Sequence, residues 1–261
     1  MKLTLIITTY NWPESLLLVI KSIRHQSIIP DEIIIADDGS TKETKAVIDS
    51  FMGDPLLEII HSWHEDKGFR ASRSRNNAIL KSSGEYIILV DGDTILHTDF
   101  IKDHIKHAEP GFFAQGYRVL LSEKQTEESL IKANVSFSFF SSQFKNRKNS
   151  IHSNFLSFIF STKKNHLQGV KSCNMGFYKK DCMKINGFNN AFEGWGREDT
   201  EFIVRMINSG INRKNIRFNA IQFHLWHNEN SRGLLERNNA ILEDTINNST
   251  KWCTNGINSI Q

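Results

Sequence analysis

Glu198 and Asp199 stand side by side in FEGWGREDTEF, a few residues after Trp195, which is set between Gly194 and Gly196. Phe202, Ile203, Met206 and Ile207 follow at helical spacing with Gly210 as a stop, so the pair reads either as the acidic first turn of a helix or as catalytic carboxylates. In VDGDT, Asp91 and Asp93 are two apart at a strand end, where extended geometry points both side chains the same way. Two converging carboxylates call for a cation, and hard oxygen ligands suit magnesium or manganese; the alternative is an ordinary polar turn around Gly92. Asp37 and Asp38 in IADDGS could accept from a base N–H or a ribose hydroxyl, or simply form an Asp-Gly turn. Arg70, Arg73 and Arg75 cluster near a helix start, where guanidinium groups can clamp a diphosphate or lie on a solvated face. His224 and His227 flank Trp226 after a strand-like run, and either imidazole brought beside Asp93 would complete a metal site; a purely structural role is the alternative.

These groups need a scaffold, and the first hundred residues supply one. LTLIITTY is a short β-branched run, Pro13 opens a helix with an apolar face from Leu16 to Ile23, and EIIIADDGS is a second strand. A helix over 44–51, the strand LEIIHSW, a helix over 73–81 closed near Gly84 and the strand EYIILVDGDT complete the series. Strands separated by helical stretches predict crossover units and a mainly parallel sheet, whose ligands bind outside the carboxyl ends of the strands. After Leu121 the pattern blurs. No acidic residue lies between Glu128 and Asp181, while Lys145, Arg147, Lys148, Lys163 and Lys164 alternate with phenylalanines such as Phe137, Phe140, Phe155 and Phe158. Such a stretch suits an anionic polymer or a membrane face, unless the phenylalanines are core and the lysines a solvated rim. GLLERNNAILEDTINN reads as one more amphipathic helix, and STKWCTNGINSIQ as a loose tail.

The composition sets limits. With 261 residues, 39% hydrophobic and 23% charged, the chain can bury the core of one large domain. No apolar run approaches the roughly 20 residues that cross a bilayer. Cys173, Cys182 and Cys253 are an odd set without CxxC spacing, which argues against a disulfide framework or a zinc site and fits a reducing cytoplasm. A net charge of +3 is too small to imply nucleic-acid binding. Neither G-x-G-x-x-G nor a P-loop is present, which counts against a dinucleotide dehydrogenase and an NTPase.

Taken in order, IITTYN, IADDGS, GFRASRSRNNAI, VDGDT, NMGFYKKD, INGFNNAFEGWGREDTEF and FHLWH resemble the family-2 glycosyltransferases. Within that family the order looks most like the amino-terminal transferase domain of bacterial chondroitin polymerases and their lipooligosaccharide and capsule relatives, and W-G-x-E-D is similar to the element of galactosyltransferases. The match runs from Leu3 to Gly233. The resemblance implies an α/β GT-A fold with a single Rossmann-like, mainly parallel sheet flanked by helices and an acceptor-binding carboxyl half. It divides the one domain, 1–261, into a nucleotide-binding half (1–121), a basic phenylalanine-rich insertion (122–166), an acceptor and catalytic half (167–233) and a C-terminal helix and tail (234–261).

The resemblance also implies roles. Thr8, Thr9, Tyr10 and Asp37 would hold the uridine, with Arg70 and Arg75 near the diphosphate. Asp91 and Gly92 would face the ribose and donor sugar, and Trp195 would form a sugar platform. Asp93 with His224 or His227 would bind Mn2+ or Mg2+, Asp199 would be the base, and Glu198 would hold sugar hydroxyls. The implied activity is inverting transfer of a hexose or N-acetylhexosamine, galactose or N-acetylgalactosamine favoured, from a UDP-sugar to a glycan or lipid-linked glycan. The implied setting is cytoplasmic, with peripheral association with the inner membrane. Two rival readings are a non-catalytic sugar-binding module and a sugar-nucleotide pyrophosphorylase, although the latter wants a glycine-rich phosphate loop that IITTYNWPES lacks.

Overall fold

In the computed structural model the apolar runs alternate between two cores. Leu3, Leu5 and Ile7 join one buried cluster and Ile6 another; Ile33 and Ile35 likewise separate from Ile34, and Ile88 and Val90 from Ile87 and Leu89. That period of two marks strands covered on both faces, which is why they read as continuous hydrophobic stretches. The structure describes residues 1–140, 144–228 and 231–260. Residues 141–143 of the expected insertion and Gln261 of the expected tail lie outside this set.

The strands are β1 (Leu3–Thr9), β2 (Glu32–Asp37), β3 (Ile59–Trp63), β4 (Tyr86–Asp91), β5 (Thr94–Leu96), β6 (Phe112–Gln115), β7 (Arg118–Leu121), β8 (Phe144–Lys145), β9 (Thr162–Lys163), β10 (Asn174–Tyr178), β11 (Asn212–Asn215) and β12 (Gln222–His224). The helices are α1 (Pro13–Arg24), α2 (Lys42–Asp49), α3 (Ala71–Lys81), α4 (Phe100–His107), α5 (Glu123–Lys132), α6 (Asn154–Phe160), α7 (Lys179–Lys184), α8 (Glu198–Asn208) and α9 (Leu235–Asn247). The main sheet has the order β3-β2-β1-β4-β10-β6-β11-β9. β3, β2, β1 and β4 run parallel, as the crossover pattern predicts, whereas β10 is antiparallel to both its neighbours.

Two features depart from the sequence expectation. A second, smaller sheet, β5-β12-β7-β8, accompanies the main one and packs through Ile95, Val119, Leu121 and Phe223 against Leu18 of α1. Its strands are two to four residues long, too short for alternation to register. The stretch read as a loose tail is also folded back: Ile257 is buried in the core cluster beneath α8, and the Asn186 amide donates to Cys253 O at 2.6 Å while its carbonyl accepts from Asn258 N at 3.0 Å. Side-chain amides thus bind the backbone of a segment whose polar composition resembles a free end.

Candidate active site

The tips of β1 and β4 lie side by side, with Thr8 in register with Asp91. Gly92 follows at a point of close approach: its N–H donates to Thr8 O at 2.7 Å, and a Cβ there would stand 2.9 Å from Thr9 Oγ1 and 3.1 Å from Thr8 O. From α1, Ser15 Oγ donates to Gly92 O at 2.6 Å and fixes the turn. Beyond it, β5 pairs antiparallel with β12, in which His224 opposes Thr94, and Leu225 N donates to Asp93 O at 2.9 Å. The small sheet therefore delivers the histidines to the fourth strand's tip. His224 Nε2 lies 3.4 Å and His227 Nε2 3.2 Å from Asp93 Oδ2.

The donor set fits a divalent cation. Asp93, His224 and His227 each present one ligand atom within 4.8 Å of the others. Asp93 Oδ1 is buried without a hydrogen-bond partner among the described residues, leaving lone pairs for a cation. Burial pushes Asp93 upward, but the two imidazoles overcome that and hold it below the usual carboxylate range. Burial lowers His224 to about 4 against the pull of Asp93, so its ring is neutral at pH 7 and free to ligate. His227 Nδ1 donates to Asn228 O at 2.7 Å, which leaves Nε2, on the Asp93 side, as the ring's ligand atom; its contact with the Asp93 carboxylate raises the proton affinity of His227.

Across from this centre stands α8, which opens with Glu198 and Asp199. The preceding residues turn sharply, with positive φ at Gly194 (68°), Gly196 (105°) and Arg197 (79°). Because Arg197 carries a Cβ, that conformation must be held from outside. α9 holds it: Asn238 Nδ2 donates to Glu193 O and Gly196 O, both at 3.0 Å, and Arg197 Nε donates to Asn239 Oδ1 at 2.6 Å. Farther along α8, Glu201 and Arg205 form a buried bidentate pair, and Arg205 also donates to Ile185 O and Gly187 O.

Arg75 joins the two sides. Buried on α3, its guanidinium donates to Thr8 Oγ1 at 3.3 Å and Glu198 Oε1 at 3.2 Å, and stands 3.5 Å from Asp91 Oδ1. Among the described residues Asp199 has no such partner; its Oδ1 accepts from Thr200 Oγ1 at 3.2 Å. Burial, reinforced by the Glu198 charge and opposed by Arg75, pushes Asp199 up to about 7. Burial also raises Asp91, to about 6, with Arg75 pulling the other way.

A cleft of about 1130 Å³ runs between the two sides, and Thr8, Asp91, Asp93, Glu198, Asp199 and His224 all line it. Thr9, Tyr10, Gly92, Arg75, Trp195 and His227 line it too. Tyr10 is exposed and donates to Asp66 Oδ2 at 2.9 Å, and Trp195 is exposed at the rim with Arg232 over its ring at 5.4 Å. Two expected site residues stand apart from the lining. Asp37 is fully buried, bonded to His61 Nε2 at 2.9 Å and Ser40 N at 2.7 Å, and Asp38, the first residue beyond β2, borders the cleft instead. Arg70 is turned to His64 and Glu65 O. Arg118 of β7 is a lining residue the sequence reading missed; its only signal was a cation opening the apolar run RVLL.

The model of "Glycosyl transferase family 2" matches residues 4–169. The chain belongs to this family. A second model, "N-terminal domain of galactosyltransferase", matches residues 155–228 of this family-2 chain, overlapping the end of the first. Among curated relatives, hyaluronan synthase of Pasteurella multocida is 25% identical over 80% of this chain and 23% of its own length. Validoxylamine A glucosyltransferase of Streptomyces hygroscopicus subsp. limoneus is 24% identical over 80% and 48%, and chondroitin synthase of Escherichia coli 23% over 80% and 32%. The family-2 chain thus spans between about a quarter and a half of these relatives. The S. aureus TarS 1-349 structure in complex with UDP superposes with a TM-score of 0.64 at 14% identity, covering 93% of this chain and 64% of that one. That likeness shows the fold, the α/β GT-A arrangement anticipated from the motif order.

Proposed function

We propose that this family-2 chain is an inverting, metal-dependent glycosyltransferase that moves a hexose or N-acetylhexosamine, galactose or N-acetylgalactosamine favoured, from a UDP-sugar to a hydroxyl of a surface-glycan acceptor. The acceptor is a lipooligosaccharide, capsule or lipid-linked glycan. The observation that carries the reading is a carboxylate with a proton affinity near neutrality in the same cleft as a His-His-Asp cluster. Support for the donor comes from TarS, a protein of the same fold whose structure was solved in complex with UDP. The galactosyltransferase model over residues 155–228 supports the choice of sugar.

In this reading Thr8, Thr9, Tyr10 and Asp38 border the nucleoside, Arg75 and Asp91 the diphosphate and donor sugar, and Trp195 a sugar face. Asp38 takes the place expected of Asp37, since it borders the cleft, its carboxylate held by His64 Nε2 at 3.1 Å and Arg70 N at 2.7 Å. Asp199, ionised, accepts the proton of the acceptor hydroxyl as that oxygen attacks the anomeric carbon; the bond to UDP breaks with its electron pair leaving on the diphosphate, and the α-linked donor yields a β-linkage. Glu198, fixed by Arg75, raises the proton affinity of Asp199 and hydrogen-bonds sugar hydroxyls. When bound, Mn2+ or Mg2+ held by Asp93, His224 and His227 would supply positive charge for the departing diphosphate. Three buried free cysteines fit a cytoplasmic setting, and among the described residues no helix is long and apolar enough to cross a membrane.

A screen of UDP-sugars for transfer and slow hydrolysis with manganese tests the proposal. Turnover of at least one UDP-sugar, abolished by EDTA and restored by manganese, is the expected result. Tight UDP binding without turnover of any sugar would favour the binding-module alternative.

A further inference from the structure

Helix α6 has its polarity reversed. Its one fully buried side chain is Ser157, whose hydroxyl meets His107 Nε2 at 3.1 Å, while Phe155, Phe158, Ile159 and Phe160 are 71%, 86%, 50% and 52% exposed. A helix on a globular surface normally turns its apolar stripe inward. Phe155, Phe158 and Ile159 are spaced i, i+3, i+4 and so share one outward row. The helix is held in this pose: Lys106 Nζ donates to Asn154 Oδ1 at 2.9 Å, Ser153 caps through Leu156 N at 3.3 Å, and Ser153 N donates to Phe218 O at 2.9 Å. The outward aromatic row is a fixed feature of the surface.

The border of this row is cationic. Lys106 lies with Ile105 along the exposed edge of α4, Lys102 of the same edge is paired with Asp99 at 3.5 Å, and exposed Lys164 follows β9. The acids on this side are paired, Glu109 with both Lys163 and Lys214 and Asp99 with Lys102. Asp103 is buried under His152 at 3.0 Å. A second copy of the chain would bring the same lysines face to face, with no acidic residue from 129 to 180 to offset them. Exposed phenylalanines ringed by lysines match an anionic lipid surface, where rings enter the acyl boundary and ammonium groups stay at the headgroups.

We propose that α6, with the exposed edge of α4 and Lys164, docks this protein on the anionic face of a lipid bilayer. This rests on the function proposed above, whose lipid-linked acceptor would lie in the same bilayer, and names the surface that brings the protein to it. Only six residues lie between Phe160 and Leu167 on the cleft wall, a span of at most about 25 Å even if fully extended. Docking through α6 therefore keeps the cleft within reach of a glycan anchored in the same bilayer.

Co-sedimentation of the full chain with vesicles of phosphatidylcholine, alone or mixed with phosphatidylglycerol, tests the proposal. The chain is expected to pellet with the mixed vesicles at low salt and to remain in solution with phosphatidylcholine alone. Phe155→Ser/Phe158→Ser should lower partitioning by about tenfold or more, and Lys106→Glu/Lys164→Glu should weaken the response to phosphatidylglycerol. Both variants should hydrolyse UDP-sugar in solution at the wild-type rate, which certifies their fold and separates this proposal from the catalytic one. Failure of the wild type to pellet with phosphatidylglycerol vesicles, or equal pelleting by the phenylalanine variant, overturns the proposal. So does a homodimer in sedimentation velocity that the phenylalanine variant dissolves, since that assigns the face to a second copy.

Discussion

Two pairs of neighbouring carboxylates face the same cleft, and the molecule treats them in opposite ways. At the tip of β4, Asp93 is flanked by His224 and His227 and held below the ordinary carboxylate range, a permanent anion suited to a cation. At the start of α8, Asp199 lacks a cationic partner of its own among the described residues and is pushed up to about 7, where a carboxyl group exchanges protons. The residue type is the same and the surroundings differ: imidazoles on one side, burial and a like charge on the other. Arg75 sits between them, bonded to Glu198 and close to Asp91, so one guanidinium limits the rise of the proton affinity on both sides. Environment, more than identity, sets which aspartate binds a metal and which takes a proton.

Substitutions can break that contrast one side at a time. Asp199→Asn removes the proton acceptor and should lower kcat by about a thousandfold while UDP affinity in the presence of manganese stays within a few fold, measured by steady-state kinetics and calorimetry. Asp93→Ala should weaken manganese and manganese-dependent UDP binding by at least about a hundredfold, read in a metal titration. Arg75→Gln sharpens the comparison: with the guanidinium gone, Glu198 and Asp91 lose their counter-charge and the proton affinity of Asp199 rises. The acid limb of its activity should then move upward by about one pH unit.

The parallel half of the fold was legible because fully buried strands leave continuous apolar runs, and helices α1 and α8 carry their apolar periodicity openly. The small sheet was not, since strands of two to four residues show no period, yet it is what brings His224 to Asp93. In the site, the motif order pointed to the groups that meet at the cleft. It could not decide between Asp37 and Asp38, because β2 ends at Asp37 and the sequence does not say which of the two the following turn brings to the cleft. The phenylalanine-rich stretch left core and surface readings open, and the structure divides it: Phe137 and Phe144 pack on Phe223, while Phe155 and Phe158 face solvent. The polar tail misled because its anchors are side-chain amides of Asn186 and Asn190, which leave no apolar signature.

The pH dependence of kcat, measured at saturating manganese, donor and acceptor, tests the central claim most directly. A base raised to about 7 is protonated below that pH, so kcat should fall about tenfold per unit on the acid side and level off above it. An acid limb at the ordinary carboxylate position near pH 4, or one that persists with full turnover in Asp199→Asn, would contradict the assignment of Asp199 as the base.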